Sequence, residues 1–204
     1  MRQRDLAVLF LLLTVCCQIL AQAPTNQERM IASIRQLGGT VEIDESLPGK
    51  PVVKIDLHGT AVTDADLVQL QGLKHLKHLD LRLTKIGDAG ISHLRGLTQL
   101  RFLNLFRTQL SDNGLGQLKG LTELETLLIG GTKVTDEGLA TVKAFSRLKK
   151  LSIFDTQIGD QGIMNLKGLT DLKVLLIGKS KVTDEGANSL RQALPDIRFT
   201  ESLN

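Results

Sequence analysis

A chain of 204 residues with 42% hydrophobic and 23% charged residues has the composition of one ordinary globular domain. Its formal net charge is only +3 and it contains no polybasic tract, which argues against a nucleic-acid-binding protein. Aromatic residues are scarce, with six Phe, no Trp and no Tyr, so aliphatic side chains must form the core.

Residues 1–23 have the pattern of a secretory signal peptide. Arg2 and Arg4 precede the apolar run LAVLFLLLTVCC, which is too short to span a membrane comfortably. Ala21 and Ala23 are small residues suited to cleavage, and we expect the cut after Ala21 because a proline would directly follow a cut at the second site.

The only cysteines, Cys16 and Cys17, lie within this segment. Cleavage would therefore remove both thiols and exclude disulfides, thiolate metal sites and a cysteine nucleophile. Two alternatives stay open: an uncleaved anchor, and a lipoprotein acylated at one of these cysteines, which Val15 disfavours. Cleavage predicts a secreted or periplasmic protein, or one associated with the envelope, with no membrane insertion once the signal is removed.

Residues 24–51 are predicted to form an N-terminal cap made of a helix and a short strand. Asn26 is suited to cap the helix, apolar residues recur along one side of it, and Gly38 is suited to end it. The alternation in TVEID predicts the strand. Such a cap would keep water from the first core layer of a repeat protein.

A 24-residue phrase recurs without gaps in six copies over residues 52–196, and we number its positions from Leu76, which is position 1. Positions 1, 4 and 6 are apolar in every copy, and the L-x-L pair predicts a strand with one buried face. Aliphatic residues at positions 16, 19 and 22 predict a brief helix, which lets the next strand return parallel. Only stacking of neighbouring copies would bury these leucines.

The phrase L-x-x-L-x-L-x-x-T-x-I-x-D-x-G-L-x-x-L-x-G-L-T resembles the 24-residue leucine-rich repeats common in secreted bacterial proteins. The resemblance covers residues 52–199 and implies an α/β leucine-rich-repeat solenoid, or horseshoe. Its parallel β-sheet would form the concave face, and short helices or turns the convex face. Residues 197–204 are predicted as a C-terminal cap, with a closing edge strand at 197–199 and a tail. Such scaffolds host many unrelated binding roles, so the fold alone fixes no function.

Two polar residues recur in the phrase. Calcium needs six to eight oxygen ligands, which one carboxylate per copy does not supply, so we interpret the Asp at position 13 as a helix cap or first-turn residue serving free N–H groups. We expect the hydroxyl at position 9 to bond to the turn backbone after each strand. These residues are Asp64, Asp88, Asp112, Asp136, Asp160 and Asp184, and Thr60, Thr84, Thr108, Thr132, Thr156 and Ser180.

The sequence favours no catalytic residue, cofactor or metal site. The four histidines occupy four different repeat positions without metal-binding spacing, and no G-x-S-x-G occurs. Asp56 and Asp80 would lie side by side on adjacent strands, but Lys54 and Arg82 are near them, so we interpret the group as a solvated charge cluster. We therefore predict a protein that is not an enzyme.

Positions 3, 5 and 7 of each strand should point out from the concave face, because positions 4 and 6 point into the core. The first two strands carry charges there, while later strands carry apolar residues, and an exposed apolar patch usually marks a binding site. We predict a protein or peptide ligand; a second hypothesis is that the patch closes a homodimer. A carbohydrate-binding or enzymatic role is disfavoured by the absence of Trp and Tyr. The predicted binding residues are Arg82, Phe102, Phe106, Leu128, Gly130, Phe154 and Leu176.

A slot is predicted at Gly130, between Phe106 and Phe154. These residues occupy position 7 of three consecutive strands, so the two rings would stand two strand spacings apart, roughly 9.6 Å, with no side chain between them. A ligand ring would fit there. The alternative, that the two rings fold over the glycine and bury each other, stays open.

Overall fold

Residues 24–201 are those that the computed structural model describes, so the predicted signal segment 1–23 lies outside them. The chain divides into two compact units, one up to Ser33 and one from Ile34 onward. No helix within the described residues has the length and apolar character needed to cross a membrane.

Helix α1 spans Asn26–Gln36. Its cap is Thr25 rather than the predicted Asn26. The Thr25 hydroxyl accepts a hydrogen bond from the backbone N–H of Glu28 at 3.2 Å, and the Glu28 carboxylate accepts one from the Thr25 N–H at 2.7 Å. This reciprocal capping box needs Ser or Thr three residues before the acid, which places the cap one residue earlier. Gly38 follows the helix with φ 87°, in the left-handed region that favours glycine.

The second unit is built on an eight-stranded sheet whose spatial order is the order of the sequence. Strand β1 is antiparallel to β2, and all later pairs are parallel with partners 24 residues apart, as in Lys54, His78 and Phe102. This register brings equivalent repeat positions side by side. The strands are β1 Thr40–Ile43, β2 Val52–Asp56, β3 His78–Asp80, β4 Phe102–Asn104, β5 Thr126–Leu128, β6 Lys150–Ser152, β7 Val174–Leu176 and β8 Arg198–Thr200.

The closing strand begins one residue later than the sequence predicts. Ile197 is taken into the core, where it is 5% exposed, and pairing with β7 begins only at Arg198. Phe199 then pairs with Leu175, so the spacing of 24 residues holds to the end of the sheet.

Short helices lie on the other side of each repeat, in the positions that the aliphatic spacing predicts. The first copy has a 3-10 helix only, Ala65–Leu70, and the other copies have α2 Asp88–Ile91, α3 Asp112–Gln117, α4 Asp136–Leu139, α5 Asp160–Ile163 and α6 Asp184–Ala193. Three of them continue as 3-10 turns. The core between strands and helices is continuous and mainly aliphatic, with Phe145 as a fully buried aromatic member. In one copy alone the residues with 0% exposure are Leu76, Leu79, Leu81, Ile86, Ile91, Leu94 and Leu97.

A tight turn follows each strand, and the threonine at position 9 closes it. The hydroxyl of Thr84 donates to the carbonyl of Leu81 at 2.7 Å, and the same bond recurs at 2.6–2.8 Å in four other copies. The predicted role of this threonine is confirmed. The turn places position 8 at positive φ, even where that residue is not glycine, as at Leu83 with φ 59°.

Five of the six aspartates at position 13, Asp64 to Asp160, bond to the next repeat and not to their own helix. Asp112 accepts hydrogen bonds from the N–H and the hydroxyl of Thr135, at 2.8 and 2.7 Å, although each helix starts at such an aspartate. The predicted first-turn position is right, but the predicted N–H partner is wrong. The reason is that stacking brings position 12 of the following copy, itself the cap of the next helix, within reach of the carboxylate.

The glycine at position 15 makes room for this carboxylate. A Cβ on Gly138 would overlap the carboxylate of Asp112, and the four equivalent glycines meet the preceding aspartate in the same way. The first copy has no preceding repeat, and it carries Asp66 at position 15 instead. Asp66 accepts hydrogen bonds from the N–H and the hydroxyl of Thr63, at 2.8 and 2.7 Å, so the first repeat supplies its own carboxylate.

Candidate binding surface on the concave face

We call the side chains at positions 3, 5 and 7 of strands β2–β7 the concave surface. Positions 3 and 7 reach solvent as predicted except at Gly130, which is buried; Phe102, Phe106 and Phe154 are half-buried. Position 5 does not, because Leu128 is only 8% exposed and Leu176 only 1%. The predicted exposure of these two leucines is therefore wrong.

The burial of position 5 follows from the parallel register. From β3 to β6, each position 5 side chain has an equivalent neighbour on both adjacent strands, about 4.8 Å away. Leu128 accordingly forms part of a pocket beneath Phe102 and Phe106, and even Ser152 is 0% exposed. Position 5 is the floor of the concave surface, and positions 3 and 7 are its contact groups.

Polar residues at position 5 satisfy the backbone where each strand ends. The side chains of Asp56, Asp80 and Asn104 accept hydrogen bonds of 3.0–3.1 Å from the N–H at position 7 of their own repeat. These local bonds stiffen the turn that carries the position 7 side chain.

Asp80 lies in a hydrogen-bonded network and not in the solvated cluster that the sequence predicts. Its side chain is only 8% exposed, Arg82 Nε lies 3.6 Å from one carboxylate oxygen, and Asn104 Nδ2 donates to the same oxygen at 3.2 Å. A buried carboxylate needs such partners, because burial without them is costly. Asp80 therefore offers little free charge to a ligand.

Asp56 makes the equivalent contacts nearer to solvent. Its Oδ1 lies 2.7 Å from Nδ1 of His58, whose backbone N–H also donates to it. Partial burial by itself raises the pKa of Asp56, but the two hydrogen bonds from His58 outweigh it, and the pKa lies below its usual range. Asp56 is ionised and already has a partner.

His78 and Phe102 stack across strands β3 and β4. Their ring centroids are 3.9 Å apart and their planes differ by 2°. Burial in this stack lowers the pKa of His78, and the charge of Lys54 lowers it further, against the raising effect of nearby carboxylates. His78 is thereby held neutral and serves as a flat wall that supports the Phe102 ring.

The slot predicted at Gly130 is closed. The rings of Phe106 and Phe154 lean together with centroids 6.4 Å apart and planes tilted by 47°, a normal contact between aromatic side chains. A Cβ on Gly130 would lie 3.1 Å from the Phe106 ring and 2.7 Å from the Phe154 carbonyl oxygen. The alternative left open by the sequence, collapse of the rings over the glycine, is what the structure shows, because contact removes both rings from water.

Two cations lie over this aromatic pair. The guanidinium of Arg107 is 5.3 Å from the centre of the Phe106 ring, and the ammonium of Lys179 is 5.6 Å from that of Phe154. Both distances are within the range of a cation–π contact. Each ring of this aromatic pair is therefore partly covered by a cation, and both rings remain half-buried.

A pocket of about 430 Å³ lies beside this aromatic pair and crosses strands β3–β6. Its walls are aromatic, its floor holds one leucine and one amide, and Arg82 and Lys150 bring cations to it. Ligand pockets typically combine apolar lining with a few polar groups in this way. The pocket is lined by Asp80, Arg82, Leu83, Phe102, Asn104, Phe106, Leu128 and Lys150.

Four of the seven predicted binding residues meet in this pocket. Gly130 and Phe154 support it from behind Phe106, whereas Leu176 is buried away from it. The four other lining residues, Asp80, Leu83, Asn104 and Lys150, were not among the predicted binding residues. Leu83 occupies position 8, where the backbone has positive φ, a conformation that leucine rarely adopts. Its side chain is 51% exposed. A leucine at this position was therefore a signal that the sequence offered.

No group of three or more His, Cys, Asp or Glu side chains within residues 24–201 is arranged to hold a metal ion. Lys54, Asp56 and Asp80 on the concave surface each lie in an ion pair, whereas Lys150 lies in none within the described residues. The groups available for contact with a ligand are the rings of Phe102 and Phe106, the exposed side chain of Leu83, and the cations of Arg82 and Lys150.

Comparison with known proteins agrees with this architecture. A model for the leucine-rich repeat matches residues 72–94 and 147–167. No curated protein matches the sequence at a significant level.

Solved bacterial structures share the fold. An internalin, inlF, from Listeria monocytogenes superposes with a TM-score of 0.55 at 19% identity over 83% of this chain, and this chain covers only 53% of that one. Internalin C2 of the same species gives 0.53 at 19% identity, covering 84% of this chain and 81% of the other. A leucine-rich-repeat protein of Leptospira interrogans gives 0.56 at 18% identity, covering 72% and 36%. The strand order and these matches together show that this chain folds as an α/β leucine-rich-repeat solenoid with an open parallel sheet.

Proposed function

We propose that this chain is a non-enzymatic scaffold that binds a protein or peptide partner through its concave surface. Leucine-rich-repeat solenoids generally present such extended concave surfaces for binding. The observation that carries the proposal is the pocket of about 430 Å³ across strands β3–β6, which combines aromatic walls with cations.

The proposal includes export of the chain. It rests on the composition of residues 1–23, which have the charge, apolar length and small residues of a secretory signal. The mature protein would then be secreted, periplasmic or associated with the envelope. Its parts would be a cap at 24–51, six repeats at 52–196 and a closing segment at 197–204.

The experiment is site-specific photo-crosslinking in the envelope fraction of the producing cells. A photoreactive residue would replace Arg82 or Lys150 on the concave surface, and Lys119 or Lys167 on the helical side as matched controls, since all four are basic. We expect a discrete adduct from the two concave positions only. Adducts from the control positions alone would contradict the proposal.

The same experiment addresses the alternative of self-association through the same surface. An adduct with twice the mass of the mature chain, together with a dimer in analytical ultracentrifugation, would identify the partner as a second copy. An adduct of another mass and a monomeric chain would favour a different protein or peptide.

A further inference from the structure

We infer that the pocket across strands β3–β6 selects a peptide segment that carries an acidic side chain next to a large apolar one. The inference rests on the proposed function and names the chemistry of the partner. Two features of the pocket lead to this inference. Apolar side chains that line it remain exposed to water, and its positive charge exceeds its negative charge.

The exposure of apolar residues in the pocket indicates that the peptide carries an apolar side chain. Phe102 and Phe106 are half-buried and line the pocket, and Leu83, which also lines it, is 51% exposed. Leu83 is held there at φ 59° by a hydrogen bond of 2.8 Å from its N–H to the Phe106 carbonyl. An apolar side chain placed against these three residues would remove them from water, which is the main source of affinity at such sites.

The balance of charges on the residues near the pocket indicates that the peptide carries an acidic side chain. Each carboxylate near this part of the concave surface already has a partner: Glu42 pairs with Lys54 at 2.6 Å, and Asp56 with His58 at 2.7 Å. The third, Asp80, is buried beside Arg82 Nε and accepts a hydrogen bond from Asn104, as described above.

Lys150 has no ion pair within the described part of the chain, although it lines the pocket. Arg82 contacts Asp80 through Nε at 3.6 Å and is 44% exposed, so its terminal nitrogens remain available for a second carboxylate. Asp155 is exposed nearby in sequence but does not line the pocket. The unbalanced charge at the pocket is therefore positive, and its complement is a carboxylate.

Aromatic rings and cations lie close together in the pocket, which favours a peptide over a polyanion as the ligand. A polyanion such as an acidic polysaccharide would satisfy Lys150 and Arg82 but would leave Phe102, Phe106 and Leu83 in water. A peptide satisfies both groups within a few residues, because successive side chains of an extended strand lie 3.2–3.4 Å apart along its axis.

The test is selection from a displayed library of random decapeptides on the immobilised mature protein. We expect enrichment of Asp or Glu beside Leu, Ile, Met or Phe. The variant Lys150→Glu should lose this preference for acidic residues, while Lys119→Glu, with the same change of charge in the turn after α3, should keep it. Binding of one selected peptide is then measured with its acidic residue and with the matching amide.

The wild-type protein should bind the acidic peptide about tenfold or more tightly than the amide, and Lys150→Glu should show no such difference. Enrichment of neutral or basic peptides would overturn this inference and leave the proposed function standing. Competition by sodium polygalacturonate with the peptide at equal charge concentration would likewise overturn this inference and leave the proposed function standing. Selection of no peptide at all would overturn the inference, whereas the proposed function is overturned only by the cross-linking result described above.

Discussion

The carboxylate of Asp136 accepts a hydrogen bond of 2.7 Å from the backbone N–H of Gly159, and thereby joins one repeat to the next. Equivalent bonds join every consecutive pair of repeats from Asp64 to Asp160. Asp184, in the last repeat, has no such bond within residues 24–201, although it occupies the same first-turn position of its helix. The two aspartates therefore share the helix-dipole effect and differ in the bond between repeats.

The variant Asp136→Ala should lower the free energy of unfolding by about 1 to 3 kcal/mol, because it leaves a partly buried N–H without an acceptor. Asp184→Ala should cost only about 0.3 to 1 kcal/mol, the contribution of a first-turn carboxylate. Chemical denaturation of both variants measures the difference. Equal losses, or a melting temperature of the wild type that rises steeply with calcium, would contradict the role assigned to this aspartate.

Gly130→Ala should destabilise the protein by about 1 to 3 kcal/mol, because the new Cβ would lie 2.7 Å from the Phe154 carbonyl oxygen. That oxygen already accepts a hydrogen bond from the Gly131 N–H, so it is not free to move. The control is Gly116→Ala in helix α3, where nothing lies within 4 Å of the added Cβ and a gain of up to about 1 kcal/mol is expected. A neutral effect at Gly130 would mean that the rings do not close over it.

His78 should make stability depend on pH. Its pKa is lowered in the folded protein from 6.5, mainly by burial, so below pH 6.5 the unfolded chain binds a proton that the folded chain resists. The free energy of unfolding should therefore fall as the pH drops from 6.5 through the lower folded-state pKa. His78→Phe keeps a ring against Phe102 but cannot titrate, so it should lose this dependence.

His75→Phe is the matched control for this measurement, since His75 is exposed in the preceding loop and should leave the pH dependence intact. Denaturation curves at several pH values between neutrality and weak acid give the comparison. If His78→Phe and the wild type lose stability in parallel, the histidine is not buried in the stack as described.

Asp66 should produce a second loss of stability toward acid, at lower pH than that of His78. Hydrogen bonds from the hydroxyl and the N–H of Thr63 lower the pKa of Asp66 below 3.8, so its contribution is present above pH 3.8 and is lost as the pH falls through the folded-state pKa. Asp66→Asn keeps the shape and an acceptor but not the charge. It should be less stable than the wild type at neutral pH, and the difference should vanish in acid; a difference that persists in acid would contradict the account.

The fold was predictable from the sequence because every copy carries the same signal. Strands, crossovers and a stacked core follow from apolar positions 24 residues apart, and even the tight turn at Thr84 follows from its hydroxyl. The partner of Asp112 did not follow, because it lies 23 residues ahead and is brought near only by stacking. Sequence analysis that considers only neighbouring residues assigns such an aspartate to its own helix.

The binding surface was predictable only in part. Alternation along a strand shows which side chains leave the core, but exposure also depends on neighbouring strands, which bury Leu128 and Leu176. Lys150 looked equivalent to Lys54 at position 3. The difference arises because β1 brings Glu42 to Lys54, while Lys150 has no such neighbour, and this depends on pairing outside the repeat.

The most direct measurement of the central claim is the affinity of the cross-linked partner for the wild-type protein and for Phe102→Ala. Phe102 stands in the pocket wall, and its truncation should weaken binding by about 2 kcal/mol or more, or about 30-fold, if the pocket is the recognition site. Val68→Ala is the control, because Val68 is an apolar residue that is 51% exposed in the first 3-10 helix, outside the concave surface. The account predicts a large loss of affinity for Phe102→Ala and none for Val68→Ala, both measured by calorimetry on folded protein. Unchanged affinity in Phe102→Ala would contradict it.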